Sequence, residues 1–325
     1  MKRTFAIIAG IALLSASLWA MPAVTADPVR SDLNQGHADA ALQKLNLVLA
    51  QDPADAEAHN LRCRVYYQEE LWDQAVSDCE AAVQANPSNS NYHLWLGRAY
   101  GQKASHASLM SAYKLARKVS AEFQKAVQLD PHSAPALADL GEFEVSAPSM
   151  VGGGIGRAQA LLPQLRATDA AAAFNLQAKI AEAQKNYGAA ESSLKAAIAH
   201  SSNPPAAWMD LAAFYRRRGQ LTEMTTALHN GASLDRQHGP ALVDGAANLA
   251  EAHLDPQTAI AWLQQYLSSG NQSEEAPAFA VRAKLAHLLA DQGDTYGAQQ
   301  QLAAAHAVAS GYRVPAHAFS SVAAR

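Results

Sequence analysis

The sequence predicts an all-α chain built as a stack of helical hairpins. Three observations carry this. Alanine accounts for 73 of the 325 residues, with 18 glycines and 14 prolines. Alanine is the strongest helix former, and so much of it with few breakers favours helix along most of the chain. Charged residues make up only 17%, and apolar residues are plentiful enough to bury a core, which excludes a disordered chain. Pro53 and Pro87 each follow an apolar helical run and stand 34 residues apart, so the unit recurs at a fixed period. The length therefore measures a number of stacked hairpins rather than two or three separate domains.

The first segment reads as a signal peptide, residues 1–26. Lys2 and Arg3 form a positive start, and Phe5 to Leu18 is an uncharged, mostly apolar run. Val24-Thr25-Ala26 supplies a small-x-small cleavage pattern before Asp27. The apolar run is short for a membrane span, which needs about 20 residues. Cleavage leaves 27–325 as the mature chain and takes the net charge from −4 to −6 by removing Lys2 and Arg3. The expected location is periplasmic or secreted. The mild acidity gives no basic footprint for nucleic acid.

The repeat units follow in order, with starts near 22, 56, 90, 134, 171, 205, 240 and 279. The first is clipped by the cleavage site. The second carries Cys63, Tyr66, Trp72, Ala75, Cys79, Ala82 and Pro87 at positions 8, 11, 17, 20, 24, 27 and 32; Arg62 stands at position 7 where an apolar residue is expected. The third has Leu96-Gly97 and Tyr100, then about ten extra residues around 102–119 that predict lengthened, projecting helices. The fourth contains Ala147 to Gly156, a loop by composition, and Pro163, which predicts a kink or a late helix start. The sixth has Trp208, Leu211-Ala212, Tyr215 and Gly219, with Met224 in place of a small residue. The last has Leu285-Ala286, Gly293, Ala298, Leu302 and Ala305.

Together these positions resemble the tetratricopeptide-repeat family, and 92–158 resembles a subgroup of bacterial exported members of unknown activity. The resemblance implies a right-handed superhelical solenoid of about seven to eight helix-turn-helix units acting as a protein-binding scaffold. It also implies that the first helices line a concave groove. Here that face carries Asn60, Arg64, Tyr67, Arg98, Gln102, Glu142, Asn175, Lys179, Arg216, Arg217, Asn248 and His287. Five of these are cations, so an acidic peptide or a C-terminal carboxylate is the expected partner.

No catalytic constellation stands out. Gly152-Gly153-Gly154-Ile155-Gly156 lacks a Lys-Ser/Thr ending and no strand precedes it, so it reads as a loop. The two Ser-x-x-Lys matches, at Ser111 and Ser192, have no companion motifs. The twelve histidines are scattered without metal-ligand spacing, and no cofactor is implied. Cys63 and Cys79 face the interior of one hairpin. They either form a disulfide, which an oxidising compartment favours, or act as two buried thiols. The expectation is a non-catalytic scaffold of the cell envelope, binding through the groove. Two alternatives stay open: an envelope assembly factor docking through the projecting third-repeat helices, or a small-ligand-binding or enzymatic protein using the Gly152–Gly156 loop.

Overall fold

The computed structural model describes residues 26–314. Residues 1–25, where a signal peptide is expected, and residues 315–325 lie outside the described residues. Among the described residues, sixteen α-helices follow one another, with a short 3-10 turn at Ser149–Val151. They pair as α1 (Ala26–Gln35) with α2 (Ala38–Gln51), α3 (Ala56–Gln68) with α4 (Trp72–Ala85), α5 (Ser90–Ser105) with α6 (Leu109–Leu129), and α7 (Ala134–Ser146) with α8 (Ile155–Thr168). Then come α9 (Ala170–Ala183) with α10 (Tyr187–His200), α11 (Pro204–Arg217) with α12 (Leu221–Leu234), α13 (Pro240–Glu251) with α14 (Pro256–Ser269), and α15 (Ala278–Asp291) with α16 (Thr295–His306).

Local chemistry sets these boundaries. Asp55, Ser133, Asp169, Asn186, Asp255 and Asp294 each cap a helix by accepting a backbone N–H of its first turn. That satisfies one of the donors a helix start leaves open. Seven of the eight described hairpins, all but α5–α6, place a residue at positive φ between their helices. Gly219 and Gly293 meet this without cost, whereas Glu70, Lys185 and His253 do so as non-glycine residues. Of the two outcomes expected at Pro163, the late helix start is not met: α8 begins directly after Gly154 and runs through the proline.

Small residues let the helices approach closely. Ala75, Ala82, Ala126, Ala190 and Ala259 are completely buried. Gly97 packs on the Phe123 ring, Gly141 on Leu176 and Gly245 on Trp262, each too close for a side chain. Part of the alanine excess thus falls at contacts between helices, where larger side chains would hold them apart.

The two ends of the stack meet. Val29 and Leu33 of α1, Leu45 of α2 and Leu61 of α3 share one apolar cluster with Phe279 and Ala283 of α15, Ala305 of α16, and Tyr312. The Asp39 amide donates to the Val308 carbonyl at 3.0 Å, and the Asp39 carboxylate accepts from Ser310 N and Oγ. The Gln68 amide donates to the carbonyls of Leu33 (3.1 Å) and Glu274 (2.9 Å). The solenoid is therefore closed on itself. Its inner face is the wall of a lumen rather than the side of an open trough.

Glu69 sits in this seam and is 1% exposed. Burial first, and the charge of Asp39 second, push its carboxyl up to about 7, while the Gly311 amide offsets part of the effect. An unfolded glutamate titrates near 4.5, so the native state favours the protonated form. This contribution is complete below about pH 4.5 and is lost as pH rises through about 7. The loss is expected to be about 3 kcal/mol. Urea unfolding at pH 5 and pH 8 should show that decline for the parent chain and little of it for Glu69→Gln. Equal slopes for the two proteins would remove Glu69 as its source.

Candidate functional site

The first helices of successive hairpins line the lumen, and their polar side chains form a ladder. Arg98 of α5 donates to Asp139 of α7 at 2.6 Å. Glu142 of α7 pairs with Lys179 of α9. Glu182 of α9 holds Arg217 of α11 through two hydrogen bonds of 2.9 and 2.8 Å. Arg216 of α11 pairs with Glu251 of α13 at 2.5 Å and donates to Asn248 at 3.0 Å. Asn175 of α9 donates to Asp210 of α11 at 3.2 Å, and Gln102 of α5 donates to the Tyr67 hydroxyl of α3 at 3.3 Å. The last rung crosses the seam, where Arg64 of α3 grips both carboxylate oxygens of Glu274.

Every cation expected to make the groove basic therefore has a carboxylate beside it, supplied by another repeat. The inner face is mixed in charge, which departs from the acid-seeking strip the sequence suggested. Asn60 departs as well. It is completely buried, neither of its amide atoms has a hydrogen-bond partner among the described residues, and it offers no surface to a partner. His287 is half-buried on α15.

A cavity of about 270 Å³ opens between α7, α9, α11 and α13. Glu142, Lys179, Asp210, Arg216, Asp244 and Asn248 contribute to its wall, over an apolar floor of Ala178, Leu194 and Met209. The Asp210 carboxylate reaches solvent yet is hemmed in by the lumen walls. This crowding, with the charge of Asp244, pushes it up to about 6, and Lys179 and Arg217 act against the shift. Asn175 Oδ1 and Glu251 Oε1 at the cavity wall are shielded from solvent and have no hydrogen-bond partner among the described residues. Two acceptors without donors leave hydrogen-bonding capacity for an incoming N–H or O–H group. Asp210, Asp244 and Glu251 were not singled out from sequence. Their signal was an acid or amide about one repeat away from a named lumen residue.

Near the seam the lumen wall is aromatic. Trp95 lies between the guanidinium groups of Arg64 and Arg98, 4.9 and 4.8 Å from its ring centre. Tyr67 packs edge-on against both Trp95 and Trp72. These contacts fix the two arginines, leaving little freedom to swing toward a ligand.

The glycine loop is packed tightly. A Cβ at Gly153 would collide with the Ala147 carbonyl, and one at Gly152 with the Ser120 hydroxyl. Gly154 N donates to the Glu144 carbonyl at 2.6 Å, and Arg157 donates to the Gly153 carbonyl. Those groups serve closure of the loop rather than a ligand. A second cleft of about 690 Å³ lies between α8, α9 and α10, lined by Leu162, Pro163, Arg166, Ile180 and Ala189.

Cys63 of α3 and Cys79 of α4 are joined by a disulfide, with Cα atoms 5.3 Å apart. No helix among the described residues is long and apolar enough to cross a membrane. Helix pairs repeating at about 34 residues, with a tight inner turn and small residues at the crossings, decide the architecture. It is a tetratricopeptide-type fold. No protein-family model matches the sequence, and no curated protein matches it. Solved structures of tetratricopeptide repeat proteins are similar at low identity. One from Thermus thermophilus is 18% identical, with 58% of this chain and 98% of that one aligned and a TM-score of 0.49. One from Parabacteroides merdae is 11% identical, covering 81% and 96%, with a TM-score of 0.49. The APC/C hetero-tetramer Cut9–Hcn1 is 13% identical over 90% of this chain, with a TM-score of 0.42; the alignment spans 52% of that chain.

Proposed function

We propose that the protein is a non-catalytic interaction scaffold of the cell envelope that holds a peptide segment of a partner protein at its lumen face. The cavity between α7, α9, α11 and α13 carries this reading. It is preformed, its walls come from four repeats, and two of its acceptors lack donors. An extended peptide offers N–H donors for those acceptors, and mixed side chains suit a wall of both signs. A strongly acidic segment suits it less, because each lumen arginine or lysine of the ladder already has its carboxylate. The envelope assignment rests on the leader-like start and on a cysteine pair suited to an oxidising compartment.

The test places a photoreactive amino acid at Asp210, inside the cavity, and in a second protein at Lys195, on the outer face of α10. Illumination in the native host should give a discrete crosslinked partner from the Asp210 site alone, and Asp210→Lys should reduce co-purification of that partner at least about tenfold. Equal yields from both sites would remove the lumen as the binding face.

A further inference from the structure

One hairpin departs from the others. α5 has 16 residues and α6 has 21, against 10 to 14 in every other α-helix. The excess projects from the stack, and no residue from Lys103 to Lys118 is buried. At the start of α6, Leu109 is 90% exposed, Met110 69% and Tyr113 38%. Lys103, Lys114, Arg117 and Lys118 lie in the same stretch, which holds no acid from Gln102 to Ala121. Lys103 pairs with Asp73 and Lys118 with Glu80, while Lys114 and Arg117 make no ion pair among the described residues.

The order of these side chains matters more than their number. Leu109, Tyr113 and Arg117 are spaced by four residues, as are Met110, Lys114 and Lys118, so the six form two adjoining rows on one helix face. Each four-residue step is about 6 Å along the axis. From the tip inward the face therefore runs from apolar, to aromatic plus cation, to two cations about 12 Å back. The tip is braced from behind, since His106 stacks on Trp72 with ring centres 5.7 Å apart.

We propose that the α5–α6 tip docks the protein onto an anionic lipid bilayer, with Leu109 and Met110 entering the acyl boundary and Lys114 and Arg117 facing lipid phosphates, while Lys118 stays on Glu80 and the Tyr100 hydroxyl. The sequence of depths fits such an interface. Apolar side chains favour the first 5–10 Å or so below the headgroups. A tyrosine ring favours the headgroup level, and cations favour the phosphate plane and snorkel toward it. A second copy of the tip is a poor occupant, because two stretches of like charge would face each other. The inference does not depend on the lumen being the peptide site.

The test uses the full chain with vesicles of phosphatidylcholine alone or mixed with phosphatidylglycerol. The apolar run from Phe5 to Leu18 is present in every variant and cancels in the comparison. Sedimentation should show tighter binding to the mixed vesicles, weakened at least about tenfold both by Leu109→Ser with Met110→Ser and by Lys114→Glu with Arg117→Glu. A local readout guards against binding elsewhere: Tyr113→Trp should add emission that brominated lipid quenches, beyond that of the parent tryptophans. No added quenching, or parent-like binding by both double variants, overturns the proposal. So does an outcome in which the variants lose only self-association or binding to an acidic protein.

Discussion

Phe279→Ala is expected to lower the unfolding free energy by about 3–5 kcal/mol, the range for emptying a fully buried aromatic site. Phe279 is completely buried, and its ring centre lies 4.8 Å from that of Tyr312. Around it are Val29, Leu33, Leu45 and Leu61 from the opposite end of the chain. In an open array each repeat is supported only by its neighbours, so a truncation near one end loosens that end. Closure changes this. The cavity would open between the first and last hairpins, and both ends would lose their partner at once. Hydrogen exchange should therefore quicken in α1 and α2 as well as in α15, although the two ends are remote in sequence. Urea unfolding supplies the magnitude and exchange supplies the location. Faster exchange confined to α15 and α16 would mean that the seam contributes little and that the stack behaves as an open solenoid.

The helical hairpins were legible because their determinants are local. A capping Asp or Ser, an alanine at a crossing and a proline after a helix each act within one repeat, and the period multiplies the signal. Closure was not legible. It depends on a small rotation per hairpin accumulated along the whole stack, and no single residue encodes that rotation. Phe279 reads as an ordinary repeat residue until α1 is seen packed against it. The lumen ladder was half-legible for a related reason. Arg98, Lys179, Arg216 and Arg217 were readable as cations on inner helices, but their carboxylates Asp139, Glu142, Glu251 and Glu182 lie one repeat away. A cation's effect on a groove depends on that neighbour. Asn60 shows the limit of register, since a groove-facing position is no guarantee of exposure when the surrounding helices close over it. The glycine run was readable as a loop. Its purpose was not, because the collision of a Gly153 side chain with the Ala147 carbonyl exists only in three dimensions.

The second large effect concerns the disulfide. Replacing Cys63 and Cys79 together by alanine should cost about 3 kcal/mol, mainly by freeing the unfolded chain from a short closed loop. The bond spans 16 residues and joins α3 to α4 within the second hairpin. Both cysteines are buried in the core that also holds Ala75, Leu94, Leu96 and Phe123. Two effects can be separated there. Reduction alone opens the loop but leaves the sulfur atoms as small apolar fillers. The alanine pair opens the loop and also leaves a slight void, so it should fall somewhat below the reduced protein. Urea unfolding of the oxidised parent, the reduced parent and the alanine pair should rank in that order, with most of the loss already present on reduction. A reduced parent as stable as the oxidised one would show that the hairpin gains nothing from the link. The same comparison bears on where the chain works. The bond persists only in an oxidising compartment. A leaderless form held in the cytosol should therefore match the reduced protein in stability, and one recovered from the envelope should match the oxidised.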